Sequence, residues 1–162
     1  MSHKQWWKGS RGEWYLLVQA GLFVLLAFGP RNLQGLPAWG YPYRWLGSLV
    51  GGVLLFAGIV LAATGAANLG RNLTPLPRPN ENSTLIVTGA FRLVRHPIYG
   101  GITFIAFGWG LWLHSWLTLG YALLLFAFFD IKSRREEQWL EEKFPEYAAY
   151  QKRVRKLIPF VY

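Results

Sequence analysis

The chain has 162 residues, of which 52% are hydrophobic, 17% aromatic and only 15% charged, where an ordinary soluble domain carries about 25% charged residues. That shortfall points to lipid as the surroundings, and the absence of cysteine excludes disulfide frameworks, cysteine zinc sites and thiol nucleophiles. A net charge of +9 admits either a nucleic-acid binder or a membrane protein, so the distribution of basic residues must decide.

In chain order, Trp14 to Pro30 and Trp45 to Gly70 carry no charged residue and approach or exceed the ~20 apolar residues that cross a bilayer core. They predict spans over about 14–30 and 45–67. No small-residue cleavage site follows the first run, so it reads as a true span and not a cleaved signal peptide. Pro97 to Phe129 is a third run free of Asp, Glu, Lys and Arg. As one helix it would be about 50 Å long, too long for a ~30 Å core. Its one polar pair, His114-Ser115, marks a break, so spans 97–113 and 116–131 form a hairpin. The fold class predicted is all-α: one integral membrane domain over 1–162 with about four transmembrane helices and a cytoplasmic tail, 132–162.

On that layout fifteen of the 17 Lys and Arg residues share one side, from Lys4, Lys8 and Arg11 through Arg71, Arg78, Arg92 and Arg95 to the tail, while Arg31 and Arg44 stand on the other. The positive-inside rule then puts both termini, the loop between spans two and three, and the tail in the cytoplasm. The excess charge serves topology and membrane headgroups, which leaves nucleic acid without a role as a partner. Gly47 and Gly51 in span two, joined by Gly52 and Gly58, have the small-xxx-small spacing of close helix packing and are read as bundle contacts before a dimer seam. Gly100, Gly101, Gly108 and Gly110 are read likewise. None follows a strand, so they do not form a soluble dinucleotide loop.

Polar residues gather in two segments. Asn68 to Tyr99 contains Pro75, Pro77 and Pro79 and predicts an extended loop. It ends in Arg95-His96-Pro97-Ile98-Tyr99, where Pro97 suits the first position of a helix and His96 its N-cap, a terminus that favours an anion. Arg92 and Arg95 equally suit headgroup contact. In the tail, Glu136 and Glu137 precede Leu140, Phe144 and Tyr147 at helical spacing, so one face carries carboxylates and apolar anchors together. A helix is predicted from about Ile131 to Lys143, and a second from near Pro145 to about Arg155. Glu136 with Lys132 reads in isolation as a surface pair.

Taken together, Val87-Thr88-Gly89, Arg95-His96-Pro97-Ile98-Tyr99-Gly100, the apolar hairpin, Glu136-Glu137-Gln138-Trp139-Leu140, Phe144, Tyr147, Tyr150, Arg153 and Ile158-Pro159-Phe160 resemble the isoprenylcysteine carboxyl methyltransferase family. The related membrane phospholipid methyltransferases are similar too. The resemblance covers about Asn68 to Val161. It implies a small helical membrane enzyme using S-adenosylmethionine, bound at the cytoplasmic end of the last two spans under a lid made by the tail. It further implies that His96, Tyr99, Glu136 and Glu137 contact the cofactor and that Arg95 and Arg153 act near the methyl-transfer site.

Side-chain chemistry is compatible with those roles. Carboxylates of Glu136 or Glu137 suit ribose hydroxyls, and Tyr99 or Trp139 suits an adenine face. Methyl transfer needs alignment and desolvation and no metal. The substrate expected is a lipophilic small molecule or lipid. Two arginines favour a carboxylate acceptor, which is already ionised and oriented by a guanidinium fork; an amine acceptor would need His96 or a glutamate as base. A nicotinamide-dependent sterol-type reductase, sharing Arg-His-Pro-x-Tyr, is the rival enzyme class, and a non-catalytic membrane protein the third reading. Acceptor identity and oligomeric state are open at this level.

Overall fold

The computed structural model describes residues 13–74 and 83–162; Lys4, Lys8, Arg11, Arg78 and the prolines at 75, 77 and 79 lie outside them. Among the described residues the chain forms five α-helices: α1 (Glu13–Phe28), α2 (Tyr43–Leu69), α3 (Pro97–Trp112), α4 (Trp116–Lys143) and α5 (Tyr147–Arg153), with 3-10 turns at Gly70–Asn72 and Gly89–Arg92. The all-helical expectation holds. Helices α2 and α4 are long and apolar enough to cross a membrane, and α1 is a shorter apolar helix. Their lateral order is α1, α4, α3, α2.

The break at His114-Ser115 is real. Helix α3 ends at Trp112, His114 takes a left-handed backbone angle of 53°, and the Ser115 hydroxyl caps α4 by accepting from the Thr118 amide at 3.1 Å. The helix predicted from about Ile131 to Lys143 is present and continuous with the one before it: α4 runs unbroken from Trp116 to Lys143. The charge begins at Asp130, but Lys132 to Lys143 contains neither glycine nor proline and is rich in helix formers, so nothing stops the helix where its surroundings change. At 1.5 Å per residue, its uncharged part, Trp116 to Phe129, is about 21 Å long, and the charged remainder, with Glu136 and Glu137, extends past it.

Glycines set the distance between α2 and α3, as the packing reading expected. A Cβ at Gly58 would stand 2.6 Å from the Gly101 carbonyl oxygen and 2.8 Å from the Ile105 nitrogen, and one at Gly51 would stand 2.8 Å from the Gly108 oxygen. These are backbone atoms, which cannot turn aside as a side chain can. The close approach fixes the start of α3 against the end of α2, where Gly65 faces Pro97.

Gly58→Ala is therefore expected to destabilise the protein by roughly 1–3 kcal/mol through overpacking, although alanine is intrinsically the better helix former. Gly21→Ala, whose new methyl meets nothing within 4 Å, should leave the melting temperature unchanged or raised. Tryptophan fluorescence melts in detergent check both.

Candidate functional site

The site begins where α2 ends. Asn68 accepts the Ala90 amide through Oδ1 at 2.8 Å, which pins the 3-10 turn that starts at Gly89. Gly89 has a left-handed angle of 61° and no room for a side chain against Asn68, so only glycine suits the position. The next residues meet the tail in an isolated parallel bridge, Val94 to Arg155. The Arg95 amide donates to Arg155 O at 2.8 Å and the His96 amide to Lys156 O at 3.0 Å. Gly100 lets the Leu157 carbonyl cross the first turn of α3. A second tie holds the tail further on, where Lys156 Nζ and the Tyr162 hydroxyl both donate to Asp130.

Pro97 is the first residue of α3 and His96 its N-cap, but the imidazole caps nothing. It turns to α4, with Nε2 3.1 Å from Glu137 Oε1 and Nδ1 3.8 Å from Glu136 Oε2. Arg95 Nε donates to the same Glu137 Oε1 at 2.7 Å, and its Nη1 to Gln151 O at 3.0 Å and to Val154 O. The Tyr99 hydroxyl donates to Glu136 Oε2 at 2.9 Å. The Tyr99 ring lies nearly parallel to those of His96 and Phe129, with centroids 5.5 and 4.7 Å away. The structure thus brings Arg95, His96, Tyr99, Glu136 and Glu137 into one polar cluster.

The two adjacent glutamates are held differently. Burial alone would raise the Glu137 carboxyl, but hydrogen bonds from His96 and Arg95, with their charge, hold it down at about 2. Burial raises Glu136, and the charge of His96, the Tyr99 hydrogen bond and the charge of Lys132 oppose that rise without cancelling it. Glu137 is a fixed anion; Glu136 is the group poised nearer neutrality.

A cavity of about 360 Å³, within the ~300–1,000 Å³ of small-molecule sites, opens beside this cluster. Residues 83–86, the end of α2, the start of α3, the charged part of α4 and α5 enclose it. Arg95, His96, Tyr99 and Glu136 line it, among apolar residues such as Leu73, Ile98, Leu140 and Phe144. Glu137 does not; it stands behind His96. A second, polar cavity of about 530 Å³ lies on the other side of the Arg95–Glu137 pair, lined by both and by Arg134, Arg153 and Arg155. Arg153 belongs to this second cavity, exposed, with Nε donating to Ala149 O at 3.2 Å. Of the two aromatic residues suggested for adenine, Tyr99 lines the main cavity, and Trp139 pairs with Arg135 at 4.7 Å outside that lining.

Sequence reasoning passed over Gln19 and read Lys132 only as a surface partner of Glu136. Lys132 is 1% exposed, lines the cavity, donates to Gln19 Oε1 at 2.6 Å and sits 5.1 Å from the Tyr99 ring centroid. It is no surface pair for Glu136. Gln19 was the available signal: it is the one amide in an otherwise apolar run, where a polar side chain is costly and commonly functional.

The buried ion pair sets an acid dependence. Glu137 has a folded value below its ordinary 4.5, so its contribution is complete above about pH 4.5 and is lost as pH falls toward 2. Glu137→Gln leaves Arg95, 11% exposed, without its counter-charge, and a loss of roughly 3–5 kcal/mol is expected at neutral pH. The gap between wild type and variant should close on acidification, read by unfolding midpoints across pH.

Comparison with known proteins bears on the same region. The family model described as phospholipid methyltransferase matches residues 46–147. A probable protein-S-isoprenylcysteine O-methyltransferase of Oryza sativa subsp. indica is 33% identical over 121 residues, which is 72% of this chain and 63% of that protein. A steroid 5-alpha-reductase of Arabidopsis thaliana is 29% identical over 119 residues, 73% of this chain and 43% of the reductase. Among solved structures, a eukaryotic intramembrane Ras methyltransferase, isoprenylcysteine carboxyl methyltransferase, superposes with a TM-score of 0.66 at 24% identity, over 99% of this chain and 55% of that one. The chain spans less than two thirds of the length of each of these relatives. Matched by the family model from the small-residue face of α2 to the tyrosine that opens α5, the chain belongs to the phospholipid methyltransferase family and shares its fold with isoprenylcysteine carboxyl methyltransferase.

Proposed function

We propose that this chain is an integral membrane methyltransferase that uses S-adenosylmethionine and acts on a lipophilic acceptor bearing a carboxylate. In this reading it is a single membrane domain with α1 to α4 as four spans. Both termini, the α2–α3 connection and the α5 tail face the cytoplasm, with the tail as lid. Outward-facing Leu49, Val53, Phe56 and Ile59 on α2, each more than half exposed, support a lipid environment, since a soluble monomer rarely shows so continuous an apolar face. The carrying observation is the cavity where Arg95, His96, Tyr99 and Glu136 converge under α5.

The residues present fit the methyl donor. Apolar side chains suit the adenine base; Glu136 suits ribose hydroxyls, and His96 and Tyr99 fix it. A buried hydroxyl on α5, that of Tyr147, lacks a partner. Bound there, S-adenosylmethionine supplies a methyl group on a sulfonium-activated carbon. The protein's part is alignment and exclusion of water. Glu137 serves by fixing Arg95 and His96.

Arg95 spends Nε and Nη1 on Glu137 and the tail backbone, which leaves Nη2 for an acceptor carboxylate. Arg153, whose Nη groups stay available beyond its Nε bond, would complete the hold from the second cavity. A carboxylate needs no general base, so no proton has to be moved. The likeness to a steroid reductase keeps nicotinamide-dependent reduction as the second reading.

Purified protein is expected to transfer label from adenosylmethionine to a lipid-linked carboxylate and to leave NADPH unconsumed; the reverse pattern favours the reductase. Arg153→Lys should keep donor affinity and lose on the order of 10²-fold in turnover, because lysine keeps the charge but not the fork. Arg155→Lys is the headgroup control. Equal, near-normal turnover in both variants removes Arg153 and the carboxylate acceptor from the mechanism.

A further inference from the structure

Two buried polar atoms among the described residues have no hydrogen-bond partner: Trp39 Nε1 and the Tyr147 hydroxyl. Buried polar groups are nearly always satisfied, so each orphan calls for a cause. Trp39 packs on Trp116 and His114 at the hairpin, the opposite end of the bundle. Tyr147 is 1% exposed and lines the main cavity.

The orphan does not come from loose packing. Tyr150, one turn along α5, meets the Tyr147 ring edge-on at 5.7 Å, and its own hydroxyl is tied to Phe91 O at 2.6 Å. The Tyr147 phenol is thereby held in place, and turning it out to water would dislodge α5. Glu137 takes Arg95, His96 and Gln151, Glu136 takes Tyr99 on one oxygen, and neither carboxylate bonds the phenol. Burial, then the charge of Glu137, raises the Tyr147 phenol further above its ordinary value, so it remains a proton donor at any working pH. What it lacks is an acceptor.

The geometry points to the Tyr147 hydroxyl as a ligand-binding donor of the main cavity, held ready for an oxygen acceptor of an adenosyl amino acid. The amino-acid carboxylate and a ribose oxygen are the two acceptors of that class. This assignment rests on the reading of the cavity as the methyl-donor site. Ligand-free protein then carries the cost of an unmade hydrogen bond, and binding relieves it. Stability and affinity should consequently respond in opposite directions when the hydroxyl is removed.

The test is Tyr147→Phe in the full chain in detergent, with S-adenosylhomocysteine as the probe. The ligand-free melting temperature is expected to stay level or rise, while the Kd from titration calorimetry weakens about tenfold or more, the range of a hydrogen bond to a charged or strongly polar acceptor. Repeating the titration with 5′-methylthioadenosine, which has no amino-acid carboxylate, separates the acceptors: a loss that disappears assigns the carboxylate, and a loss that persists assigns the ribose. Tyr121→Phe, which removes a hydroxyl bonded to Pro30 O far from the cavity, should leave the Kd unchanged. Tyr147→Leu is the second variant should phenylalanine fail to fold. Wild-type affinity in the Tyr147 variant that folds overturns the proposal and makes Tyr147 a core phenol. Failure of wild type itself to bind the probe overturns the donor-site reading beneath it.

Discussion

The buried pair of Arg95 and Glu137 holds the site together. Arg95 stands just before α3 and Glu137 on the charged end of α4, and the same guanidinium also reaches the backbone of α5 at Gln151 and just beyond it at Val154. Three parts of the chain distant in sequence thus meet at one planar cation. A lysine could not do this, since its compact ammonium lacks the rigid fork that presents several donors in fixed directions. The pair is costly to bury, and backbone acceptors together with His96 offset that cost by satisfying what two charges alone would leave open. Its contribution is better described as registry than as stability: it sets where the tail lies across the start of α3.

Registry of that kind is useful only if α3 itself is fixed. The approach of α2 and α3 at Gly58 and Gly101, backbone to backbone, supplies this without directional bonds. Between them the two devices locate His96 and Tyr99 from both sides, the apolar one within the bundle and the ionic one at its end. Tyr99 then acts as the hinge point between regimes. Its ring is stacked on Phe129 in the apolar interior, while its hydroxyl meets Glu136 at the cavity.

Much of this was legible in the sequence because the relevant signals are local. Uncharged runs mark α1 to α4, and His114-Ser115 marks the hairpin because a polar pair interrupts an apolar run. Arg-His-Pro-x-Tyr and Glu-Glu identify the cluster. The unbroken course of α4 was not legible: a change from apolar to charged residues at Asp130 is a statement about surroundings, whereas helix continuity depends on backbone preference, and the two part company here. Lys132 was misread for a related reason. Its i, i+4 relation to Glu136 is visible in sequence, but Gln19, which holds it, lies 113 positions away. The second cavity and the position of Arg153 depend on how the tail folds back, which the Val94–Arg155 bridge decides and no local pattern announces.

Adjacent glutamates with unlike environments follow from helical geometry. Successive residues point about 100° apart around an α-helix of 3.6 residues per turn, so a Glu-Glu pair at the edge of a cavity cannot present both carboxylates to it. One faces the cavity and the other faces whatever lies behind. Here the second meets Arg95 and His96 and is held ionised, while the first lines the cavity and is less well paired. The motif therefore has two separate placements on one turn of helix, an anchor in the ion pair and a carboxylate at the cavity. His96 joins them, since its two ring nitrogens look toward the two carboxylates in turn. A change of charge at Glu136 would reach Glu137 through a single imidazole, which makes the cavity wall and the seating of the tail parts of one electrostatic unit.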